Sequence, residues 1–255
     1  MLILLSPSKT QDFDSVAPTP IHTEPDLLKE SELLMKVLGK LTKAEIKKTM
    51  GISDTLATLN AKRFKHFETP FTPKNAKQAI FAFQGDVYDG FDVQSLDTKA
   101  LAFAQAHIRI ISGLYGILRP LDLIQPYRLE MKTKLKNPRG ADLYAFWGDK
   151  LTETLNEHLK ELEPKVIINL ASEEYAAAID PKKLEGKFIT PQFREKKGSA
   201  YKMIGLLAKK ARGRMARYIA MRSITVPDAL QFFSEDGYRL NVSLSRPENP
   251  VYARG

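Results

Sequence analysis

Short apolar runs recur along the chain at Leu2–Leu5, 80–83, 109–111, 166–170, Lys187–Ile189 and 201–207, and their length predicts β-strands. Between them lie stretches of helical period. One helix is predicted over 25–39, with Pro25 as its start signal and Gly39 as its stop. A second, amphipathic, is predicted over 141–162. Strands interleaved with helices predict an α+β (mixed α/β) fold, a mixed sheet under helical cover. No Gly-x-Gly-x-x-Gly or Walker sequence follows a strand, which argues against Rossmann and P-loop folds. No repeat, low-complexity tract or Gly/Ser linker divides the chain, so one domain over 1–255 is expected.

The sharpest local pattern covers 42–66. Thr42 and Glu45 form a capping box, Gly51 is placed to end that helix in a left-handed conformation, and Ser53 can cap the next. A helix-hairpin-helix is therefore expected. In such hairpins the turn amides, here Gly51, Ile52 and Ser53, hold a phosphate beside basic residues, here Lys47, Lys48, Lys62 and Arg63. A plain αα-hairpin with no ligand fits the same pattern.

The segment 112–131 breaks the ordinary pattern, because Arg119, Asp122, Arg128 and Glu130 sit among Leu, Ile, Tyr and Met residues that favour burial. Unpaired charge costs several kcal/mol to bury, so these groups must meet one another, backbone or a ligand. Pro120 and Pro126 forbid a continuous helix. A rigid, irregular segment aiming charge into a cleft is one reading, and a structural ion-pair cluster is the other.

Charge changes the picture further. The net charge is +9, and 194–222 holds ten Lys or Arg against the single acid Glu195. Within it, Ala211, Met215, Tyr218 and Ile219 make an apolar stripe, leaving Lys210, Arg214 and Arg217 on the opposite face. Such a helix can dock on the body and face a polyanion, double-stranded DNA above all. The absence of cysteine excludes disulfides, thiolate metal sites and cysteine redox chemistry. His22, His66, His107 and His158 show no metal-ligand spacing, so no metal or cofactor is expected. The start, MLILLSPSKT, reads as a buried strand rather than a signal peptide, no run is apolar and long enough to span a bilayer, and a cytoplasmic monomer is expected.

Polar residues follow several of the strand-like runs. Lys9 lies in the turn Ser-Pro-Ser-Lys-Thr, Asp86 and Tyr88 in GDVYDG, and Asn169, Ser172 and Tyr175 in INLASEEY. Such loops are where α/β proteins gather ligand groups. If these strand ends converge, Arg119, Arg128, Lys209 and Arg212 bind an anion there while Asp122 or Glu130 supplies a base. Asp86 as a plain helix N-cap is the alternative. Trp147 and Tyr144, in LYAFWGD, read as core aromatics more readily than as a base-stacking pair.

These motifs, with LILLSPSKT and KKARG, occur in an order that resembles the YaaA-type bacterial peroxide-stress proteins from end to end. The resemblance implies a single mixed α/β body outside the common superfolds, gives Lys9 added weight, and implies a role in peroxide stress. Without cysteine or a histidine cluster, direct destruction of peroxide is not expected. Two functions fit. One is a DNA-binding protein of low sequence specificity that limits oxidative damage to DNA. The other is an enzyme acting on a nucleotide or other phosphorylated small molecule in the Lys/Arg-rich pocket.

Overall fold

The computed structural model describes residues 1–255 and shows an α+β fold. In chain order the first half contains β1 (Leu2–Leu5), α1 (Leu28–Leu38), α2 (Lys43–Met50), α3 (Asp54–Lys65), β2 (Lys77–Gln78), α4 (Ala79–Ala82) and α5 (Asp86–Phe91). Next come α6 (Thr98–His107), β3 (Ile108–Ser112), β4 (Gly116–Leu118), β5 (Leu123–Ile124), α7 (Leu143–Trp147), α8 (Lys150–Leu159) and β6 (Val166–Asn169). The chain finishes with α9 (Glu173–Ala176), β7 (Lys187–Ile189), β8 (Gln192–Lys197), β9 (Ala200–Lys202), α10 (Gly205–Met221), β10 (Arg239–Leu240) and β11 (Val251–Arg254).

A five-stranded sheet in the order β4-β3-β1-β6-β7 forms the centre. All its neighbours run parallel except β4, which returns antiparallel along β3. β1 lies in the middle with Ile3 beside both Ile108 and Ile168, and its four side chains are fully buried. A strand covered on both faces has no reason to alternate, which is why β1 reads as an unbroken apolar run. A second sheet, β10-β11-β8-β9, carries the C-terminal part, and β2 pairs with β5 alone. One continuous apolar cluster of 62 residues joins the two larger sheets, reaching from Leu4 to Phe193 and Tyr252.

Several predicted elements are corrected. Residues 80–82 belong to a single helical turn, α4, anchored when the Ala79 and Ile80 amides donate to the carbonyls of Asp122 and Pro120, and Phe83 follows it in an extended conformation. The 201–207 run is divided: β9 ends at Lys202 and α10 starts at Gly205. Short apolar runs carry no periodicity that separates a strand from one turn of helix. The 141–162 helix is interrupted by Gly148, whose backbone at φ 48°, ψ −129° separates α7 from α8. Gly39 does stop α1, in a right-handed conformation. Trp147 is core, its indole N–H donating to the Gly113 carbonyl at 3.1 Å.

Candidate functional site: a cleft where β1 and β6 end

β1 and β6 are adjacent and parallel, but the next strand of the sheet lies on opposite sides of them, β3 beyond β1 and β7 beyond β6. Their C-terminal loops therefore diverge and leave a crevice, the usual ligand position in open α/β sheets. Its floor is stitched together by serines. The Ser172 amide donates to Ser6 Oγ at 2.8 Å, and the two hydroxyls lie 3.3 Å apart. The Tyr88 hydroxyl donates to the Ser6 carbonyl at 2.9 Å, which ties α5 to this floor, and burial pushes the phenol pKa up. Asn169 shapes the loop from below, accepting from the Ala171 amide and donating to Thr190 Oγ1.

The resulting cleft has a volume of about 530 Å³. The loop after β1 supplies Ser8, Lys9 and Thr10; the start of α5 supplies Asp86; α10 supplies Lys209 and Arg212. Gly85, not Asp86, is the N-cap of α5, so the Asp86 carboxylate is left facing the cleft. Glu130, Ser172, Glu173, Glu174 and Tyr175 complete the rim, so acids as well as bases face the cleft.

Two glycines bring the α5 and α10 walls together. A Cβ on Gly213 would stand 1.9 Å from the Val87 carbonyl oxygen, and one on Gly90 would stand 2.3 Å from that of Lys210. The helices thus touch backbone to backbone. Arg217 reinforces the crossing by donating to the carbonyls of Phe91 and Asp92 at the end of α5. Arg214 pairs with Asp236 at 3.5 Å. Both arginines were expected on an outward basic face; they are instead engaged by the body, and only Lys210 of that trio stands exposed and unpaired. An acid at Asp236 and carbonyls at a helix end, all distant in sequence, decide this.

The charges of 112–131 separate into two groups. Glu130 joins the cleft, contacting Lys9 at 2.9 Å, Arg128 at 3.3 Å and Lys132 at 3.7 Å. Burial alone would raise its pKa, but the hydrogen bond and charge of Lys9, helped by Arg128 and Lys132, hold it below the usual carboxylate range. Arg128 reaches the cleft only through Glu130, and its Nε is buried without a partner. Arg63 of α3 lies near enough that burial first, and the Arg128 charge second, lower its pKa.

Arg119 and Asp122 lie elsewhere, which corrects their grouping with this cleft. Asp122 is fully buried and accepts from Thr23 Oγ1 at 2.5 Å, from the Arg119 amide at 2.7 Å and from Arg119 Nε at 3.1 Å. Arg119 also meets Asp26 at 3.1 Å. Asp26 in turn lies 2.9 Å from His158 Nε2, and His158 Nδ1 accepts from Arg109 Nε at 2.9 Å. This chain of partners is a structural network that pins β3 to α8 and to the segment before α1. Burial, then the Arg119 charge, lowers the Arg109 pKa to about 10.

The hairpin forms as its local signals require. Thr42 and Glu45 satisfy each other's backbone amides, Gly51 is left-handed at φ 61°, and Ser53 Oγ accepts from the Leu56 amide. Two expected phosphate donors are already committed, since the Gly51 and Ile52 amides both donate to the Lys47 carbonyl. Ile52 is buried. The unpartnered amides at the start of α3 are those of Asp54 and Thr55, since Ser53 already takes those of Leu56 and Ala57. Lys47 is committed too: with Lys43 it grips Asp54, whose pKa falls to about 2 through the hydrogen bonds of Lys47 and then Lys43. Lys48 and Lys62 remain exposed.

A groove runs from Lys48, Thr49 and Gly51 of the hairpin across to Glu130, Lys132 and Lys134. Glu130 is also on the rim of the β1/β6 cleft, so groove and cleft adjoin. The far wall is an irregular segment, turning where the Thr133 amide donates to the Glu130 carbonyl and the Leu135 amide to that of Thr133, in which Met131, Thr133 and Leu135 are buried while Lys132, Lys134 and Lys136 are exposed. The alternation in MKTKLK is the sequence signal for this lysine row; read by composition alone, it goes unnoticed.

Residues 1–244 match the family model described as peroxide stress protein YaaA. The chain belongs to that family. It is 51% identical over 254 residues to a UPF0246 protein of Janthinobacterium sp. (strain Marseille), covering 100% of this chain and 98% of the relative. It is 52% identical, with the same coverage, to a UPF0246 protein of Alteromonas mediterranea. A general role in peroxide stress follows from membership of the YaaA family. No helix of this member is long and apolar enough to cross a membrane.

Proposed function

We propose that the protein binds duplex DNA through its phosphates, with little base readout, and limits oxidative damage to DNA under peroxide stress. The observation that carries this reading is that exposed Lys132 and Lys134 line the hairpin groove with Lys48, and that Lys136 is exposed two residues further along the same segment. The hairpin adds Lys62 and the free amides that open α3. No helix presents the Asn, Gln and Arg pattern that reads base edges.

Salt dependence tests it. With about five phosphates neutralised, log K should fall against log salt with a slope near −4.5, at roughly −0.9 per contact. Lys134 and Lys136 make no ion pair, so Lys134→Gln with Lys136→Gln should flatten the slope by about 1.8. A slope near zero in the parent protein, or an unchanged slope in the double variant, excludes this groove as the DNA path.

The hairpin has its own test in Gly51→Val. A Cβ at Gly51 meets nothing within 4 Å, so the only penalty is a β-branched residue at φ 61°, about 1–2 kcal/mol. Melting temperature should fall modestly while DNA affinity falls several-fold, because the turn that orients Lys48 relaxes. Gly51→Asn, which tolerates a left-handed backbone, should restore both. Full affinity in a folded valine variant would make the hairpin merely structural.

A further inference from the structure

The cleft at the ends of β1 and β6 has chemistry that duplex binding does not use. Arg212 is half-buried, lines the cleft, and makes no ion pair or hydrogen bond within the protein. Burial alone lowers its pKa, with no carboxylate acting on it. Lys209, one helical turn earlier, is also unpaired. A guanidinium withdrawn from water without a partner is costly, and an anionic ligand is the partner that resolves the cost.

Asp86 constrains what that anion is. Its carboxylate lines the same cleft, half-buried and without an ion pair, although the Gly90 and Gly213 crossing holds its helix directly against the one bearing Lys209 and Arg212. A bare phosphate would be repelled by this carboxylate. A ligand with an anionic end and a neutral end rich in hydroxyl or amino donors satisfies both walls, as a ribose hydroxyl satisfies an acid in dinucleotide sites. Ser8 and Thr10 offer hydroxyls beside Lys9, and Pro7 and Val87 offer apolar surface to a sugar or base. The volume of about 530 Å³ lies within the roughly 300–1,000 Å³ range of small-molecule sites.

We propose that this cleft binds a nucleoside monophosphate unit, with the phosphate on Arg212, Lys209 and Lys9 and sugar or base donors on Asp86. The unit comes either from the free nucleotide pool or from a DNA strand lying in the adjoining groove. The cleft itself does not depend on the DNA reading, since its residues are separate from Lys48, Lys134 and Lys136.

Calorimetry of the full-length protein with AMP, dAMP, adenosine and inorganic phosphate tests the site. A nucleotide should bind at least about tenfold more tightly than phosphate or adenosine, a difference of about 1.4 kcal/mol. Arg212→Gln should weaken nucleotide binding about tenfold or more. Asp86→Asn should weaken it several-fold while phosphate binding holds or improves, a split that a structural role would not produce. Lys134→Gln with Lys136→Gln should leave it intact, so failure of the DNA reading and failure of this one remain distinguishable. A duplex carrying 2-aminopurine separates the two sources. A fluorescence rise on binding that AMP reverses assigns the strand unit; nucleotide binding without that rise assigns the free nucleotide. If the unmodified protein shows neither, or if its nucleotide binding is no tighter than that of phosphate, the proposal is overturned whether or not the variants fold.

Discussion

Gly213→Ala is expected to destabilise the protein by at least about 3 kcal/mol and to abolish ligand binding in the β1/β6 cleft. Helix propensity alone predicts the opposite sign, since alanine inside a helix is favoured over glycine by about 1 kcal/mol. The new methyl would lie 1.9 Å from the Val87 carbonyl oxygen and 2.8 Å from the Phe91 amide nitrogen. Both are backbone atoms, so no rotamer change relieves the clash and α5 must retreat as a unit. Overpacking commonly costs about 1–3 kcal/mol, and a backbone clash belongs at or beyond the upper end. Because Asp86 and Tyr88 travel with α5, the cleft wall moves with it. At about 2–4 °C per kcal/mol for a chain of this size, a thermal melt should shift downward by about 6–12 °C. A variant as stable as the parent would show that the two helices are not in backbone contact.

Asp122→Ala is the second large effect, and it is purely structural. The lost carboxylate strands Thr23 Oγ1, the Arg119 amide and one face of the Arg119 guanidinium in a buried setting. Breaking a buried pair from one side costs about 3–5 kcal/mol. Arg119 keeps Asp26 and the Glu24 carbonyl, so the lower end, about 3 kcal/mol, is expected. The melt should again fall by about 6–12 °C. DNA salt slope and cleft binding in the folded protein should be unchanged, which separates this network from Glu130, close to it in sequence. A loss of nucleotide or DNA binding without loss of stability would place Asp122 in the functional site instead.

Sequence alone determined what depends on neighbours within a turn. The Thr42 capping box, left-handed Gly51 and the Ser53 cap are formed by hydrogen bonds spanning three to five residues, and all three are present. Leu2–Leu5 is a central strand because an unbroken apolar tetrad finds full burial only with sheet neighbours on both sides. The lysine row of MKTKLK, although its alternation stands in the sequence, emerged only once the fold set it beside Lys48. Tertiary structure decided the rest, because the partner of a charge or the neighbour of a glycine is chosen by the fold. Glu130 meets Lys9 and joins the cleft, whereas Asp122 meets Thr23 and leaves it, although both stand among similar apolar residues. Arg214 and Arg217 look like a solvated basic face until Asp236 and the end of α5 claim them. Gly90 and Gly213 look like weak points of two helices. Only their crossing shows why a side chain is excluded there, and it is that contact at van der Waals range, invisible to periodicity or composition, that sets Asp86 and Arg212 on adjoining walls of one cleft.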